Sequence, residues 1–440
     1  MSIQERLTVA RVIPYSPDGG VARNTIEGIP FLEDEGISVI ILAPWGELSG
    51  PNVRPFGKKL LVISHDNTRN EFIAARTSAA KRVLDEIKPD IVHVDEPAAA
   101  LGLFIPLVLV SPRRADKKPF SAFGATFHSR IDSDDGAEHL PRKFKLVKVV
   151  SRILPLVGTR RYIPFRYRGT LFDMATSIWD DRLIATSPAV ADFWKQTIPK
   201  EYEIIHNGIN TDELTVEGPL IHEWLEDGKK IMLMSGRHDP RKGFDLGIRA
   251  YGEIRKQRND VKLIIVGEGQ MSLALRQLVE AEGIPDVTFY SPLPREQYVQ
   301  ALRTAGVSGG LFVAASRGGE GFNRTIPEAL SVGTPVVASN LRGHQEAVRN
   351  QEFGHMVEPN DTQALARGIL EILNLSSETR RRWQHEAPAF VHKNFGWKTV
   401  ATQQANAYRR WQEQYGTVPK EEWSRIRTKK SGIIARFRKK

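Results

Sequence analysis

The sequence predicts an α/β protein built from two doubly wound parallel-sheet units. Three observations lead there. Short apolar runs of strand length alternate with segments of helical period, the pattern of parallel strands joined by crossover helices. That alternation occurs twice, on either side of a polar stretch at 217–230 that has no strong periodicity and reads as a linker. Finally, 440 residues, 41% hydrophobic and 26% charged, are enough to bury two cores.

In the first half, Leu7–Pro14 (LTVARVIP) is the opening strand. Tyr15–Val21 (YSPDGGV) follows as a loop, and a helical pattern then runs through Ile29, Phe31 and Leu32 until Gly36 ends it. Ile37–Pro44 is a second buried strand. The unit lacks the full G-x-G-x-x-G spacing, which argues against a dinucleotide; Gly19-Gly20 reads either as a tight turn or as backbone open to a diphosphate. Lys59–Ser64 is strand-like, Ile73–Ile87 helical, and Ile91–Val94 another strand. Phe120–Arg130 carries His128 just past an apparent strand, at the sheet edge where open α/β folds bind ligands; a lone histidine reads equally as structural. Leu183–Ala185 and Glu203–Ile205 are the last strands of this half, closed by a turn at His206–Asn210.

In the second half, Lys230–Gly236 is a buried strand running into Arg237-His238-Asp239-Pro240-Arg241-Lys242-Gly243. Arg237 and Lys242 are a fork of donors and a point charge in a loop that leads to a helix; they suit a diphosphate, or a solvated loop. Strands at Val261–Gly267 and Val287–Tyr290 alternate with helices at Met271–Glu282 and Gln297–Ala305. Leu311–Leu330 (LFVAASRGGEGFNRTIPEAL) is then strand, glycine-rich loop and helix start, an anion-binding arrangement. It carries two acids eight positions apart. Glu328 fits a capping box with Thr325 as N-cap and Pro327 in the first turn. Glu320 has no such structural role, and an acid at a phosphate site points to a sugar hydroxyl held there. Pro335–Ser339 is the next strand, Gln363–Leu373 the next helix, and Trp383–Tyr415 a helical run.

Charge is uneven. Of the net +10, residues 142–168 hold nine Lys/Arg and no acid, residues 424–440 hold eight and no acid, and the remainder is net negative. This favours a local anionic partner over a nucleic-acid footprint. In 141–154, Lys145, Lys148 and Arg152 share one side of a helix and Val147, Val150 and Leu154 another; with Arg142 and Lys143 they read as a basic amphipathic segment docking on an anionic membrane surface, or as a solvated helix. The 419–440 tail reads as a membrane contact or a solubilising extension. The chain has no cysteine, which excludes disulfides and thiolate chemistry and fits a reducing cytoplasm. No signal peptide is read at the N-terminus, and the longest apolar run, Ala98–Val110, is too short to span a bilayer. No metal cluster is read.

Glu320 and Glu328 stand as E-x₇-E within GEGFNRTIPEALSVGTPVVAS. With Gly236-Arg237, Lys242-Gly243 and Asn207-Gly208-Ile209-Asn210, this strongly resembles glycosyltransferase family 4, and the resemblance covers nearly the whole chain to about Tyr415. In the first half, Pro14-Tyr15-Ser16, Gly19-Gly20-Val21, His93–Pro97 and Thr126–Ser129 look most like the phosphatidylinositol mannosyltransferases of that family. The resemblance implies two facing Rossmann-like domains of GT-B type: 1–215 on the acceptor side, a 216–229 linker, 230–392 binding the nucleotide sugar, and a helical segment at 393–418 crossing back. It implies a retaining transferase moving a hexose, mannose first, from a donor such as GDP-mannose to a lipid such as phosphatidylinositol at the inner face of the plasma membrane. Arg237 and Lys242 are then expected on the donor diphosphate, Glu328 on the ribose, and Glu320 on the transferred sugar. Gly19, Gly20, Gly321, Phe322 and Asn323 are expected along the donor, and His128 opposite the sugar. No tightly bound cofactor is implied, with Mg²⁺ stimulatory but not required.

The sequence departs from the family pattern at three places. Asn323 and Arg324 stand where a glycine is common, Pro292–Gln297 lacks the expected guanine-loop arrangement, and the segment after His128 is longer and more basic. A different lipid or soluble acceptor, a UDP- or ADP-sugar, or nucleotide-sugar epimerisation on the same plan are the competing readings.

Overall fold

A computed structural model describes residues 6–13, 20–43, 60–62, 88–95, 122–127, 182–196, 199–348 and 352–415. Gly19, His128, the basic residues Arg142, Lys143, Lys145, Lys148 and Arg152, the helix expected at 73–87 and the 419–440 tail lie outside them.

The first sheet contains β1 (Leu7–Val12), β2 (Ile37–Ala43), β3 (Leu60–Val62), β4 (Ile91–Asp95), β5 (Ala122–Phe127), β6 (Leu183–Ala185) and β7 (Glu203–Ile204). Their order is β3-β2-β1-β4-β5-β6-β7, and all pairs are parallel, with Leu7 opposite Ile37 and Val9 opposite Ile91. The second sheet contains β8 (Lys230–Ser235), β9 (Val261–Val266), β10 (Val287–Tyr290), β11 (Leu311–Ala314), β12 (Val336–Ser339) and β13 (Gly354–Val357), in the order β10-β9-β8-β11-β12-β13. It too is wholly parallel. Both sheets start from a central strand, wind one way, then return to wind the other. The strand order therefore reverses between β1 and β4, and again between β8 and β11, which is where such sheets open a crevice for ligands. Continuous apolar strands follow from burial on both faces; β4 and β11 are buried at every position.

Helices cover the faces: α1 (Gly20–Glu27), α2 (Ile29–Asp34), α3 (Pro188–Lys195), α4 (Phe244–Arg255), α5 (Ser272–Ala281), α6 (Arg295–Val307), α7 (Thr325–Ser331), α8 (Arg342–Val348), α9 (Thr362–Leu373), α10 (Ser377–Phe395) and α11 (Trp397–Tyr415). Local chemistry sets several starts. Ser187 caps α3, its Oγ accepting from Val190 N at 3.2 Å with Pro188 following. Asp361 does the same for α9 at 2.8 Å from Ala364 N.

The polar stretch 217–230, expected as a linker, is packed against the second unit: Trp224 sits in the second core, and its Nε1 donates to the Tyr290 hydroxyl at 2.8 Å. One finding differs from the sequence reading. The helical run 383–415 is two helices broken at Gly396, which is extended (φ −60°, ψ 139°). There the chain crosses back, with Trp397 N donating to Ile209 O at 3.0 Å and Ile209 N to Phe395 O at 2.7 Å. The outgoing and returning strands of the connection are thus bonded to one another. Helix α11 then joins the first core through Trp397, Val400, Ala401, Ala405, Tyr408 and Trp411. A Cβ on Gly208 would stand 2.2 Å from the Trp397 ring, so glycine is what admits the indole at the crossing. No helix among the described residues is long and apolar enough to cross a membrane.

Candidate active site

The crevice of the second sheet lies beyond the ends of β8 and β11. After β8 the chain makes a short 3-10 turn, Pro240–Lys242, capped by Asp239, whose Oδ1 accepts from Arg241 N at 2.9 Å. Gly243 follows in the left-handed region, φ +63°. A Cβ there would stand 2.0 Å from Ala315 O, so only glycine lets the two loops touch. They are stitched further: Arg317 N donates to Arg241 O at 2.7 Å, and the Arg317 guanidinium meets both oxygens of Asp245 at 3.0 and 2.7 Å.

That stitching brings Lys242 to Glu320, Nζ to Oε1 at 2.7 Å, from seventy-eight residues away. Ser316 Oγ donates to the same oxygen at 2.9 Å. Burial pushes the Glu320 carboxyl up, but Lys242, the nearby His344 and the two hydrogen bonds outweigh it and hold Glu320 down at about 2. It is therefore a carboxylate throughout the neutral range, fitted to accept hydrogen bonds from hydroxyls and unfitted to deliver a proton. Arg237, on the same loop as Lys242, is exposed, and its side chain makes no hydrogen bond among the described residues.

Glu328 lies on α7 and is buried, but not as a capping-box residue. Helix α7 begins one residue earlier than expected, with Arg324 at the N-cap and no side-chain cap from Thr325. Asn323 supplies the capping acceptor instead, its Oδ1 accepting from Thr325 N at 3.3 Å and from Thr325 Oγ1 at 2.7 Å. Freed from the cap, Glu328 faces Arg295, whose Nη1 donates to Oε1 at 3.0 Å. Of the other residues expected along a donor, Phe322 turns its ring into the seam between the sheets, stacked on His206 with centroids 5.2 Å apart and packed on Phe395. Asn323 is buried beside His344. What 321–323 can offer a ligand is main chain. Gly20 opens α1, and a Cβ there would meet nothing within 4 Å among the described residues, so none of them requires glycine at that position.

The first unit closes over this crevice. Ser187 Oγ donates to Gly321 O at 2.7 Å, Arg342 pairs with Asp192 at 2.5 Å, and Arg324 pairs with Glu27. Sequence reasoning does not find Glu27, Ser187, Arg295, Ser316 or His344. A Ser-Pro start at 187–188 marks a helix cap but not a contact to the other unit, and nothing local marks the rest.

Residues 18–213 match Glycosyltransferase Family 4, and residues 221–390 match glycosyl transferases group 1. The chain is a glycosyltransferase, a family 4 domain joined to a group 1 domain. The transferase is 25% identical over 412 residues to the phosphatidyl-myo-inositol mannosyltransferase of Mycobacterium leprae (strain TN), covering 91% of this chain and 96% of that one. It is 28% identical over 257 residues to the D-inositol 3-phosphate glycosyltransferase of Streptomyces coelicolor (strain ATCC BAA-471 / A3(2) / M145), covering 52% of this chain and 55% of that one. Its fold is shared with a glycosyltransferase from Rickettsia africae ESF-5, at TM-score 0.69 and 19% identity, over 92% of this chain and 98% of the other. Two facing Rossmann-like sheets with α11 crossing back make the transferase a GT-B enzyme.

Proposed function

We propose that this transferase moves mannose, with retention of configuration, from GDP-mannose to an inositol phospholipid. The observation that carries the reading is the Lys242–Glu320 pair at the mouth of the β8/β11 crevice. It offers a cation and an ionised acid within one hydrogen bond of each other, on loops that end free of the sheet. A diphosphate sugar supplies both partners: its phosphates draw Lys242 and the exposed Arg237, and a sugar hydroxyl replaces Lys242 on Glu320. Glu328 receives the ribose hydroxyls on the same loop-to-helix segment. The family resemblance assigns His128, from the acceptor-side unit, to the reacting sugar. Glu320 is occupied by the sugar hydroxyl it accepts and is too weak a base to compete, so the acceptor proton goes to the departing phosphate oxygen, on the face of the sugar that the acceptor enters. Lys242 and Arg237 stabilise the charge left on that phosphate, and closure of the two units excludes water from the donor. No tightly bound cofactor is called for besides the two substrates, and Mg²⁺ stimulates without being required.

The acceptor reading is supported by the Mycobacterium leprae relative's name and by the basic segment 141–168, whose proposed role is to hold the enzyme to the anionic inner face of the plasma membrane. The Streptomyces coelicolor relative's name supports a second reading, a soluble inositol phosphate acceptor. Nucleotide release is measured with GDP-mannose, UDP-glucose and ADP-glucose, each against phosphatidylinositol vesicles and against inositol phosphate. GDP release that requires the vesicles, and is lost in Glu320→Gln, supports the proposal. Release with inositol phosphate and no lipid dependence overturns the acceptor; release only from UDP- or ADP-sugar overturns the donor.

A further inference from the structure

Glu328 sits in a cluster of charges that spans the two units. On the second unit, Arg295 Nη1 donates to Glu328 Oε1 at 3.0 Å, while its Nε reaches Glu213 Oε2 at 3.2 Å. Arg324 Nη2 lies 3.8 Å from that same Oε1, one helical turn away on α7 and too far to hydrogen-bond. Arg324 points instead across the seam, donating to Glu27 Oε2 at the end of α1. The other Glu27 oxygen takes Arg23 Nε at 2.8 Å. Burial alone would raise the Glu27 carboxyl, but Arg324, Arg23 and Arg295 together hold it at about 2. Arg324 Nε and Arg295 Nη2 are buried here without a hydrogen-bond partner among the described residues. Buried donors in native proteins are satisfied, so two unsatisfied ones in one cluster mark a place where a ligand with acceptor oxygens completes the site.

We propose that Arg324 is a positioning residue shared between Glu27 and Glu328, so that closure of the two units sets Glu328 for the donor. With the units shut, Glu27 draws Arg324 off Glu328. With the units apart, Glu27 leaves, and Arg324 folds back onto Glu328 as an i, i+4 pair beside Arg295, taking up acceptor positions of the carboxylate that a ligand hydroxyl needs. Coupling of this kind is reciprocal: if closure improves donor binding, donor binding favours closure by the same factor. This latch rests on the donor-side reading of Glu328 given under the proposed function.

The test uses the full chain with GDP-mannose, UDP-glucose and ADP-glucose as probes in isothermal titration, for wild type, Glu27→Gln, Arg324→Gln and the double variant. Glu27→Gln weakens donor binding roughly tenfold although Glu27 belongs to the other unit. The double variant binds better than Glu27→Gln alone, because the released arginine is no longer there to block Glu328. An ion pair that merely holds the structure together predicts the opposite, a double variant no better than the single. Either that result, or wild-type affinity in Glu27→Gln, overturns the proposal. Thermal midpoints confirm folding, and Glu27→Asp serves as the conservative variant should Glu27→Gln fail to fold. If wild type binds none of the three donors, the proposed function fails, and small-angle scattering without ligand decides the latch: an unchanged radius of gyration in Glu27→Gln overturns it, and an increase supports it.

Discussion

The two sheets wind in the same order and reverse at equivalent places, yet the ion pairs at the two reversals are opposites. In the first unit, Arg11 on β1 meets Asp95 at the end of β4 with two bonds, 3.0 and 2.5 Å, at 1% and 0% exposure. Thr25 donates to Asp95 at 3.2 Å, Arg11 reaches Gln404 of α11 at 3.3 Å, and His93 meets the Tyr408 hydroxyl at 2.6 Å. In the second unit, Lys242 and Glu320 follow β8 and β11 at 31% and 14% exposure, with one bond between them. A buried pair with several bonds to its surroundings is committed to holding α11 against the sheet. A pair at the rim, with valences to spare, can exchange partners. The same topology therefore supports a structural pair and a candidate chemical one, and what separates them is the helix that covers the first and leaves the second open.

Asp95→Asn tests the buried side of the contrast and has the largest expected effect. It leaves the Arg11 charge buried and unpaired, a loss of roughly 3–5 kcal/mol, read as a lower denaturant midpoint. Lys242 and Glu320 are untouched, so donor affinity of the folded fraction stays as in wild type. A small stability change would mean that the pair is not committed. Glu320→Gln tests the open side: turnover falls roughly 10- to 100-fold, the worth of a charged hydrogen bond, while the thermal midpoint changes far less than for Asp95→Asn. Gly243→Ala attacks the contact that holds the open pair together. The positive φ and the clash with Ala315 O cost about 1–3 kcal/mol, and donor affinity falls along with stability as Lys242 shifts from Glu320.

Acidity separates the seam from the crevice more gently. Glu320 and Glu27 are both held at about 2 by their cationic partners. Their stabilisation is complete above the ordinary carboxylate range and is lost as pH falls through that range towards 2. Glu346, which faces His206 at 3.1 Å across the connection, is raised to about 7 by burial, with Arg342 opposing. Its sign is reversed: the native state favours the protonated acid, so stability declines as pH rises from the ordinary carboxylate range through about 7. Burial lowers His206, His238, His344 and His392, which works the other way as pH rises to the ordinary histidine range, so Glu346 is read from a difference: the melting midpoint of wild type relative to Glu346→Gln should fall from pH 5 to 8, and a difference that stays constant across that range assigns the dependence elsewhere. Arg241→Ala is the smallest effect. Its pairing with Asp239 is exposed, so stability shifts by less than about 1 kcal/mol.

Strands are legible in the sequence because each has to be apolar on both faces. Leu183–Ala185 and Val287–Tyr290 are found at their expected bounds. Helix α8 and strand β13 are not legible: they are short, and Gly354-His355-Met356-Val357 has too little alternation to declare itself. At the site, Glu320 stands out because no local structure requires an acid there. Glu328 reads wrongly as a cap because Thr-x-x-Glu is a local rule, and Arg295, thirty-three residues away, overrides it.

Whatever depends on neighbours along the chain can be read from the residues alone: two alternating α/β units, the glycine-rich loop after β11, the cations after β8, and the helical run that follows the second sheet. Which charges meet was settled only by folding in three dimensions. Lys242 finds Glu320 because Gly243 lets two loops touch, Asp95 is sealed because α11 returns from the other unit, and Glu27 reaches Arg324 because the two sheets face each other. Period and propensity act over a few residues, whereas a carboxylate's role is fixed by the cation that folding places beside it and by the water that folding removes.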